Sequence, residues 1–501
     1  MKKFFIDTYQ SRIAVLILTL LNLITSADLS AQGNHTEQYI FPSQMSNNVI
    51  VRESFTGVPL MSYRSTRMAN FVYGDIYTNN MKKFEINDST TMTGSQISYK
   101  INDMRVIGNM CYFCGVRWDL HEDPESGAYV TDSTGVLGRF PLDPLGFGQS
   151  VKFHLKLIRE TKSLDRMATY AQDRDTVIAM IGIVDEPASQ SCLAVARVDN
   201  SNPWKYIVKY TNNNPSEEVF TDIATTPLTT YIASHHRDIT DKYYIHIRMN
   251  DNASLSGGSY LRFDTLNNYL LPSFSVSETT QYELIRPDFS AVQLCSTPWD
   301  VVYAAFSCLK KSPTPTYPTA VCTIKTIDKV MANVQIVKNA HSNAHTLVDM
   351  DYIYQATGGA LGSMTALLHN TPGPYKTVLE YPSGILSSPG TLVPVHRLVD
   401  NQMQSISVYN GDDIRLGGIW SSSSQNLTYL QEEQPTLNEK NQCIDVSQTE
   451  ILPVEGTLQP TALERTLHFK TTYELDFEWG KKSTPTIAVD VENVCIQRSE
   501  E

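Results

Sequence analysis

The sequence predicts an all-β chain folded as a β-propeller, with seven blades. Three observations predict it. Tyr (26 residues), Thr, Val and Ile abound, while long helical periodicity is scarce. Short strand-like runs recur, each closed by a turn rich in Gly, Asn, Ser or Pro. One pattern then returns seven times between about residue 45 and residue 432.

The chain opens on a basic stretch, MKKFFIDTYQSR, followed by an apolar run from Ile13 to Ile24 and small residues through Ala27 and Ala31. That is the layout of a secretory signal peptide. Residues 1–31 are therefore expected to be a signal peptide, cleaved after Ala27 or Ala31. The apolar run is shorter than the roughly 20 residues a membrane-spanning helix needs. No other stretch is apolar enough to span a bilayer. Export to the periplasm, the cell surface or the medium is the expectation.

In the repeat, Asn or Asp closes a turn and a strand follows, with an aromatic or large aliphatic residue three places on. The copies are Asn70-FVYGD, Asn109-MCYFCG, Asp175-TVIAMIG, Asp241-KYYIHIR, Asp300-VVYAAF, Asp351-YIYQATG and Asp413-IRLGGIW. The shared site holds Tyr73, Tyr112, Ile178, Tyr244, Tyr303, Tyr354 and Leu416. The anchors lie between 39 (Asn70 to Asn109) and 66 residues (Asn109 to Asp175) apart. A short strand precedes each copy, such as Asp103-MRVI or Met167-ATYA. A turn and another strand follow, such as Leu193-AVARV or Met364-TALLH. Turns such as Thr78-NNM and Asn252-ASLSGG have hairpin chemistry.

A three- or four-stranded meander repeated at this spacing reads as a propeller blade. One small sheet cannot bury both faces alone; radial stacking buries them, and closure leaves only short edges. The propeller is expected to span residues 45–432. Six or eight blades fit as well, because the terminal copies are the weakest. After residue 432 the texture becomes polar, then strand-like again in Thr466-LHFKTTYELDFEW and Thr486-IAVDVENVCI. Residues 433–501 are expected to close the ring, to form an appended hairpin or to act as a sorting signal.

On this repeat and the export signal, the chain resembles β-propeller proteins, in particular secreted ones of Gram-negative bacteria that are themselves uncharacterised. The resemblance is at the level of fold. No sialidase-type Asp-box, Trp-Asp blade ending or kelch double glycine recurs, so the resemblance implies no functional residues.

The formal net charge is −13, without basic blocks, which argues against a nucleic-acid partner. Eight cysteines in 501 residues are too few for a disulfide scaffold. Cys308 and Cys322 lie symmetrically about a proline-rich loop and are a candidate cross-strand disulfide, as are Cys443 and Cys495 at the ends of the C-terminal segment. Cys111 and Cys114 have redox or zinc spacing. In a strand, however, residues three apart point to opposite faces, so their thiols are expected not to converge.

Two clusters are candidates for ligand contact. His235, His236 and Arg237 end a predicted inner strand. His121, Glu122 and Asp123 lie in an unusually long connection, residues 119–150, and long ordered loops are often functional. Neither has the ligand spacing of a calcium or zinc site. No nucleophile elbow, phosphate loop or dinucleotide motif is present, so no catalytic residue, cofactor or metal is assigned. The leading expectation is a binding or interaction module that presents a protein or glycan surface on one face of the ring, without catalysis. A glycoside hydrolase or lyase on the same scaffold and a structural component of a cell-surface assembly are the alternatives.

Overall fold

The computed structural model describes residues 35–497 apart from several connecting segments, the longest being 87–95, 212–217, 253–263, 285–292, 311–318, 354–362, 382–392, 434–443 and 454–467. The expected signal segment and Cys443 lie outside the described residues.

Among the described residues the strands form seven antiparallel sheets. Their inner strands are Asn47–Glu53, Gln96–Ile107, Ser163–Gln172, Glu218–Thr225, Gln293–Ser296, Ala344–Ile353 and Asn401–Tyr409. Each packs against the next, and the last packs against the first, so the ring is closed. The chain is a seven-bladed β-propeller, with blades 1–7 taken in that order. Blade 7 is completed by the first described strand, His35–Phe41, which pairs with Asn426–Glu433 (Tyr39 opposite Tyr429). Chain ends thus meet in one sheet, which ties the ring shut.

Burial explains why the middle strands read as apolar runs and the outer ones alternate. A middle strand has a neighbouring blade on both faces. In Met110–Glu122 the residues Cys111 to Val116 are all buried. An outer strand such as Ser150–Ile158 faces solvent on alternate residues. Apolar side chains form layers between blades. Between blades 1 and 2, Phe71, Phe84, Phe113, Phe140 and Phe147 pack with neighbouring ring centroids about 5 Å apart.

Cys111 belongs to the layer between blades 1 and 2, and Cys114 to the layer between blades 2 and 3. Both are free and buried, and burial pushes both thiols well up. They point apart, as strand geometry requires.

The seven repeat copies do not share one register. Copies at Asn109, Asp175, Asp300 and Asp413 lead into second strands. Those at Asn70 and Asp241 lead into third strands, and Asp351 lies within the inner strand Ala344–Ile353. A polar turn residue before an aromatic strand marks any hairpin, not one fixed place in a blade.

A truer repeat sits in the inner strands. Each of blades 1, 2, 3, 4, 6 and 7 has a register shift near the start or middle of its inner strand. One extra residue is accommodated there, as in a β-bulge. Asn102, Asp165, Thr221, Val348 and Gln404 are the extra residues of blades 2, 3, 4, 6 and 7. The bulge bows toward the second strand, and glycine makes room for it. A Cβ on Gly115 would lie 2.0 Å from the Lys100 carbonyl oxygen, and one on Gly182 would lie 2.1 Å from that of Ser163.

The C-terminal segment neither closes the ring by itself nor forms one hairpin. Its short strands add a fifth, outermost strand to six blades in turn. Ile444–Asp445 joins blade 6, Thr449–Pro453 blade 5, His468–Leu475 blade 3, Gly480–Pro485 blade 2, Ile487–Val489 blade 1 and Glu492–Gln497 blade 7. The segment runs round the ring against the direction of the blades. Trp479 anchors it, with its ring 4.7 Å beneath the Arg139 guanidinium.

Removing residues 434–501 should leave the closure made by His35–Phe41 intact while uncovering six strand edges. The expected outcome is a folded chain by circular dichroism, with a lowered Tm and concentration-dependent association in light scattering. A truncated chain that is unfolded would show that the belt is required for the ring itself.

Candidate functional site

The bulges turn polar side chains toward the axis of the ring. There they line a cavity of about 280 Å³, built from the inner strands of blades 1, 2, 3, 6 and 7. Asn48, Asn102, Asp165 and Gln404 come from the bulges; Lys100, Arg52, Arg166, Asp349 and Ser405 are their strand neighbours.

Three of the bulge side chains, Asn48, Asn102 and Gln404, bind the backbone of the blade beside them. Asn48 Nδ2 donates to the Ile101 carbonyl, and Asn102 Nδ2 donates to the Leu164 carbonyl at 2.9 Å. Across the closure, Val49 N–H donates to Gln404 Oε1 at 2.7 Å.

The next residue forms a second ring of bonds. On blades 2, 4 and 6 it is Asp103, Asp222 and Asp349. One oxygen of each carboxylate accepts the N–H of its own following residue: Met104 at 2.8 Å, Ile223 at 2.9 Å and Met350 at 3.1 Å. The other oxygen accepts an N–H from the next blade: Met167 at 3.0 Å, Leu294 at 2.7 Å and Ile406 at 3.1 Å. Each aspartate therefore staples its blade to the following one.

On blade 1 the device is different. Arg52, 8% exposed, donates to Asp103 Oδ1 at 3.1 Å, the Met104 carbonyl at 3.0 Å, Ser405 Oγ at 3.2 Å and the Ile406 carbonyl at 3.2 Å. It also lies 3.8 Å from Asp349 Oδ2. One guanidinium thus joins blades 7, 1 and 2. The half-buried Arg105 adds a second ion pair to Asp103 at 3.4 Å and donates to the Met167 carbonyl.

These charges set the acidities. Burial would push Asp103 up, but Arg105, Arg52 and Arg166 together with the Met167 N–H outweigh it and hold it below the usual carboxylate range. Burial pushes Asp222 up to about 6, against the pull of Arg166 and two N–H donors. Burial also raises Asp165, opposed by a Ser163 hydrogen bond and by Lys100. Burial lowers Lys100, with Asp165 pulling it back.

The residues singled out from sequence lie elsewhere on the ring. The 119–150 connection is mostly not a loop. Met110–Glu122 and Tyr129–Pro141 pair along their whole length, to Glu122 opposite Tyr129. Asp123 closes the turn, accepting the Glu125 N–H at 2.9 Å and the Ser126 hydroxyl at 2.8 Å, so both its oxygens serve the turn. His121 stands 3.9 Å from Asp132, and Glu122 is exposed. Gln96 lies opposite Leu120, which puts this hairpin tip at the end of the ring where the inner strands begin. His235, His236 and Arg237 reach that same end, with Glu218 opposite His236. The two clusters share a face of the ring, and neither lines the cavity.

The candidate disulfide partners do not face each other in the hairpin register. Cys322 lies opposite Ala304, four positions from Cys308, and Cys308 lies opposite Leu284 on the other side. With Ser307 opposite Thr319, the hairpin is centred ahead of the point that would set Cys308 opposite Cys322. Cys495 sits opposite Gln38 in the outermost strand of blade 7.

Sequence reasoning missed the cavity residues. The available signal was Ile101-NDMR, Phe220-TDIA and Leu347-VDMD: a large apolar residue, a bulge residue, Asp, then Ile or Met.

Loss of Asp103 should be costly, because it strands Arg52 and Arg105 and opens the staple to blade 3. Asp103→Asn is expected to cost about 3–5 kcal/mol, read by denaturant unfolding at neutral pH. The folded value of Asp103 is depressed, so its stabilisation is present above the unfolded value of about 3.9 and lost as pH falls through the folded value below that. In the variant, the acid limb of the stability profile should be shallower than in the parent. An unchanged limb would remove Asp103 from this role.

Neither a protein-family profile nor a curated protein matches the sequence. Among solved structures, the chain is similar to the β-propeller domain of the trilobed protease from Pyrococcus furiosus, which has an open velcro topology: 8% identity, a TM-score of 0.39, and coverage of 79% of this chain and 100% of that one. It is also similar to a leech intramolecular trans-sialidase in complex with 2,7-anhydro-Neu5Ac: 8% identity, a TM-score of 0.26, and coverage of 85% and 94%. Likenesses this distant carry no information on activity.

Proposed function

We propose that this chain is an exported binding module of the kind found in secreted Gram-negative β-propellers, and that it holds a glycan or protein ligand at the face of the ring where the inner strands begin. The observation that carries the reading is the axial cavity of about 280 Å³, walled by amide and charged side chains. A polar cavity of this size suits one small group inserted at the axis. Around it, the blade 2 hairpin and the 235–237 strand end supply a rim for a larger partner.

A hydrolytic role has less support. Acid–base cleavage of a glycoside uses two carboxylates held about 5–10 Å apart and free to act. On the inner strands, Asp103, Asp222 and Asp349 spend both oxygens on backbone N–H groups. They serve the scaffold. A role as a surface-assembly component draws no support from the C-terminal segment, whose strands are taken up by the sheets of the ring.

The test is a screen of the purified mature chain on glycan and protein arrays, with N-terminal sequencing of the exported product. The expected outcome is a chain beginning at residue 28 or 32 and at least one ligand class whose binding is lost on Asn102→Leu. Retention of the chain in the cytoplasm, or an absence of binding across both arrays, would reject the proposal.

A further inference from the structure

Lys100 and Arg166 share the axial cavity with Arg52 but differ from it in one respect. Arg52 spends its donors on Asp103, Ser405 and the carbonyls of Val51, Met104 and Ile406. The Lys100 ammonium and the Arg166 guanidinium make no hydrogen bond or ion pair among the described residues. Both are only partly exposed. Two half-buried cations in one cavity without a direct partner are costly unless something neutralises them.

The local charge count says what could do so. Among the groups that line the cavity, Arg52, Lys100 and Arg166 carry three positive charges and Asp165 and Asp349 two negative ones, which leaves one positive charge in excess in the wall. Asp222, Asp103 and Asp349 also act on Arg166 at longer range; of these, Asp222 and Asp103 lie in the staples behind the wall and do not line the cavity.

The other wall groups suit hydroxyls. Asn102 uses its amide nitrogen on the Leu164 carbonyl and the Asp165 carboxylate, so its Oδ1 remains to accept a hydrogen bond. Gln404 accepts from Val49 through Oε1, which leaves its amide nitrogen to donate.

Resting on the binding-module reading above, we infer that the axial cavity takes a small hydroxylated carboxylate, such as the uronate end of a glycan. Its carboxylate lies between Lys100 and Arg166, and its hydroxyls meet Asn102 and Gln404. The planar guanidinium can receive a carboxylate through two parallel bonds, which fixes orientation as well as charge. At about 280 Å³ the cavity holds one sugar ring and not a chain, so a polymer would be gripped by its end.

Titration calorimetry on the full mature chain tests this with D-glucuronate, D-galacturonate and D-glucose at millimolar concentration. The expected result is binding of at least one uronate, with glucose weaker by about tenfold or more, the scale of one lost charge-assisted hydrogen bond. Lys100→Met and Arg166→Gln should each weaken uronate binding by about tenfold or more; Lys100→Met should leave the Tm near that of the parent, whereas Arg166→Gln should also lower it, because Arg166 acts on the staple carboxylates Asp103 and Asp222. Should a variant prove unstable, Gln404→Glu is the second probe: it keeps the Val49 contact, adds a negative charge to the wall and should abolish uronate binding. Equal binding of glucose and uronate overturns this inference but leaves a glycan-binding module standing. So does uronate binding indifferent to Lys100 and Arg166. Absence of uronate binding together with an array-confirmed protein or neutral-glycan ligand likewise overturns only the cavity assignment.

Discussion

Everything in this ring turns on an odd number. The aspartate staples sit on blades 2, 4 and 6, and each ties its blade to the next. Alternation cannot close on seven blades: the joints between blades 3 and 4 and between blades 5 and 6 are single gaps between staples, but two gaps fall in succession from blade 7 through blade 1 to blade 2. Arg52 fills both. Its guanidinium reaches Ser405 and Ile406 on one side and Asp103 and Met104 on the other. The same stretch is where His35–Phe41 zips onto blade 7, and the buried pair Arg415–Glu53, at 3.1 Å, crosses from blade 7 to blade 1. The seam is reinforced by charge where blade 7 is completed only by the pairing of His35–Phe41 with a strand distant in sequence.

Buried ion pairs are weak evidence for net stability, since desolvation offsets much of the attraction. Their contribution here is register. A carboxylate that must accept one N–H from its own strand and one from the next blade allows little sliding between sheets. Apolar layers such as the phenylalanine cluster between blades 1 and 2 supply adhesion that is largely insensitive to direction. At the rim, the C-terminal strands cover edges that would otherwise offer unpaired backbone to other chains. Inner staples, apolar layers and outer belt thus divide the work by radius.

Much of the architecture was legible in the sequence, for a physical reason. Two-sided burial makes middle strands such as Met110–Glu122 nearly continuous in apolar residues, and turns betray themselves by Gly, Asn and Pro. Blade number followed from that. The register of the repeat did not, because Asn or Asp before an aromatic strand serves any hairpin, as at Asn70 and Asn109. The glycines ending two copies, Gly115 and Gly182, were the better landmark: each lies against a bulge and admits no Cβ. The 119–150 segment read as a loop because Asp, Glu and Gly crowd its middle. Yet Tyr129–Pro141 pairs along its whole length with Met110–Glu122, and only six residues make the turn. The belt was illegible, since its strands are two to eight residues long and gain their meaning only from edges far away in the chain. The cavity was illegible as well, because its wall draws on five strands spread from Asn48 to Ser405.

The bulge connects stability with function. By adding one residue it swings the following side chain into the joint between blades, where Asp103 or Asp349 binds two strands. It also turns its own side chain, Asn48, Asn102, Asp165 or Gln404, toward the axis. A regular inner strand could satisfy one demand or the other, but period-two alternation would place consecutive residues on opposite faces. The polar cavity is therefore a by-product of the way the blades are joined. A ligand entering it meets Arg52 at the seam and the blade 6 staple Asp349 directly, and sits one residue away from the staple Asp103 on blade 2. Occupancy of the axis and the tightness of the ring are consequently coupled through the backbone of the inner strands. A ligand that neutralises Lys100 and Arg166 would stiffen the closure from within, just as the belt holds it from outside.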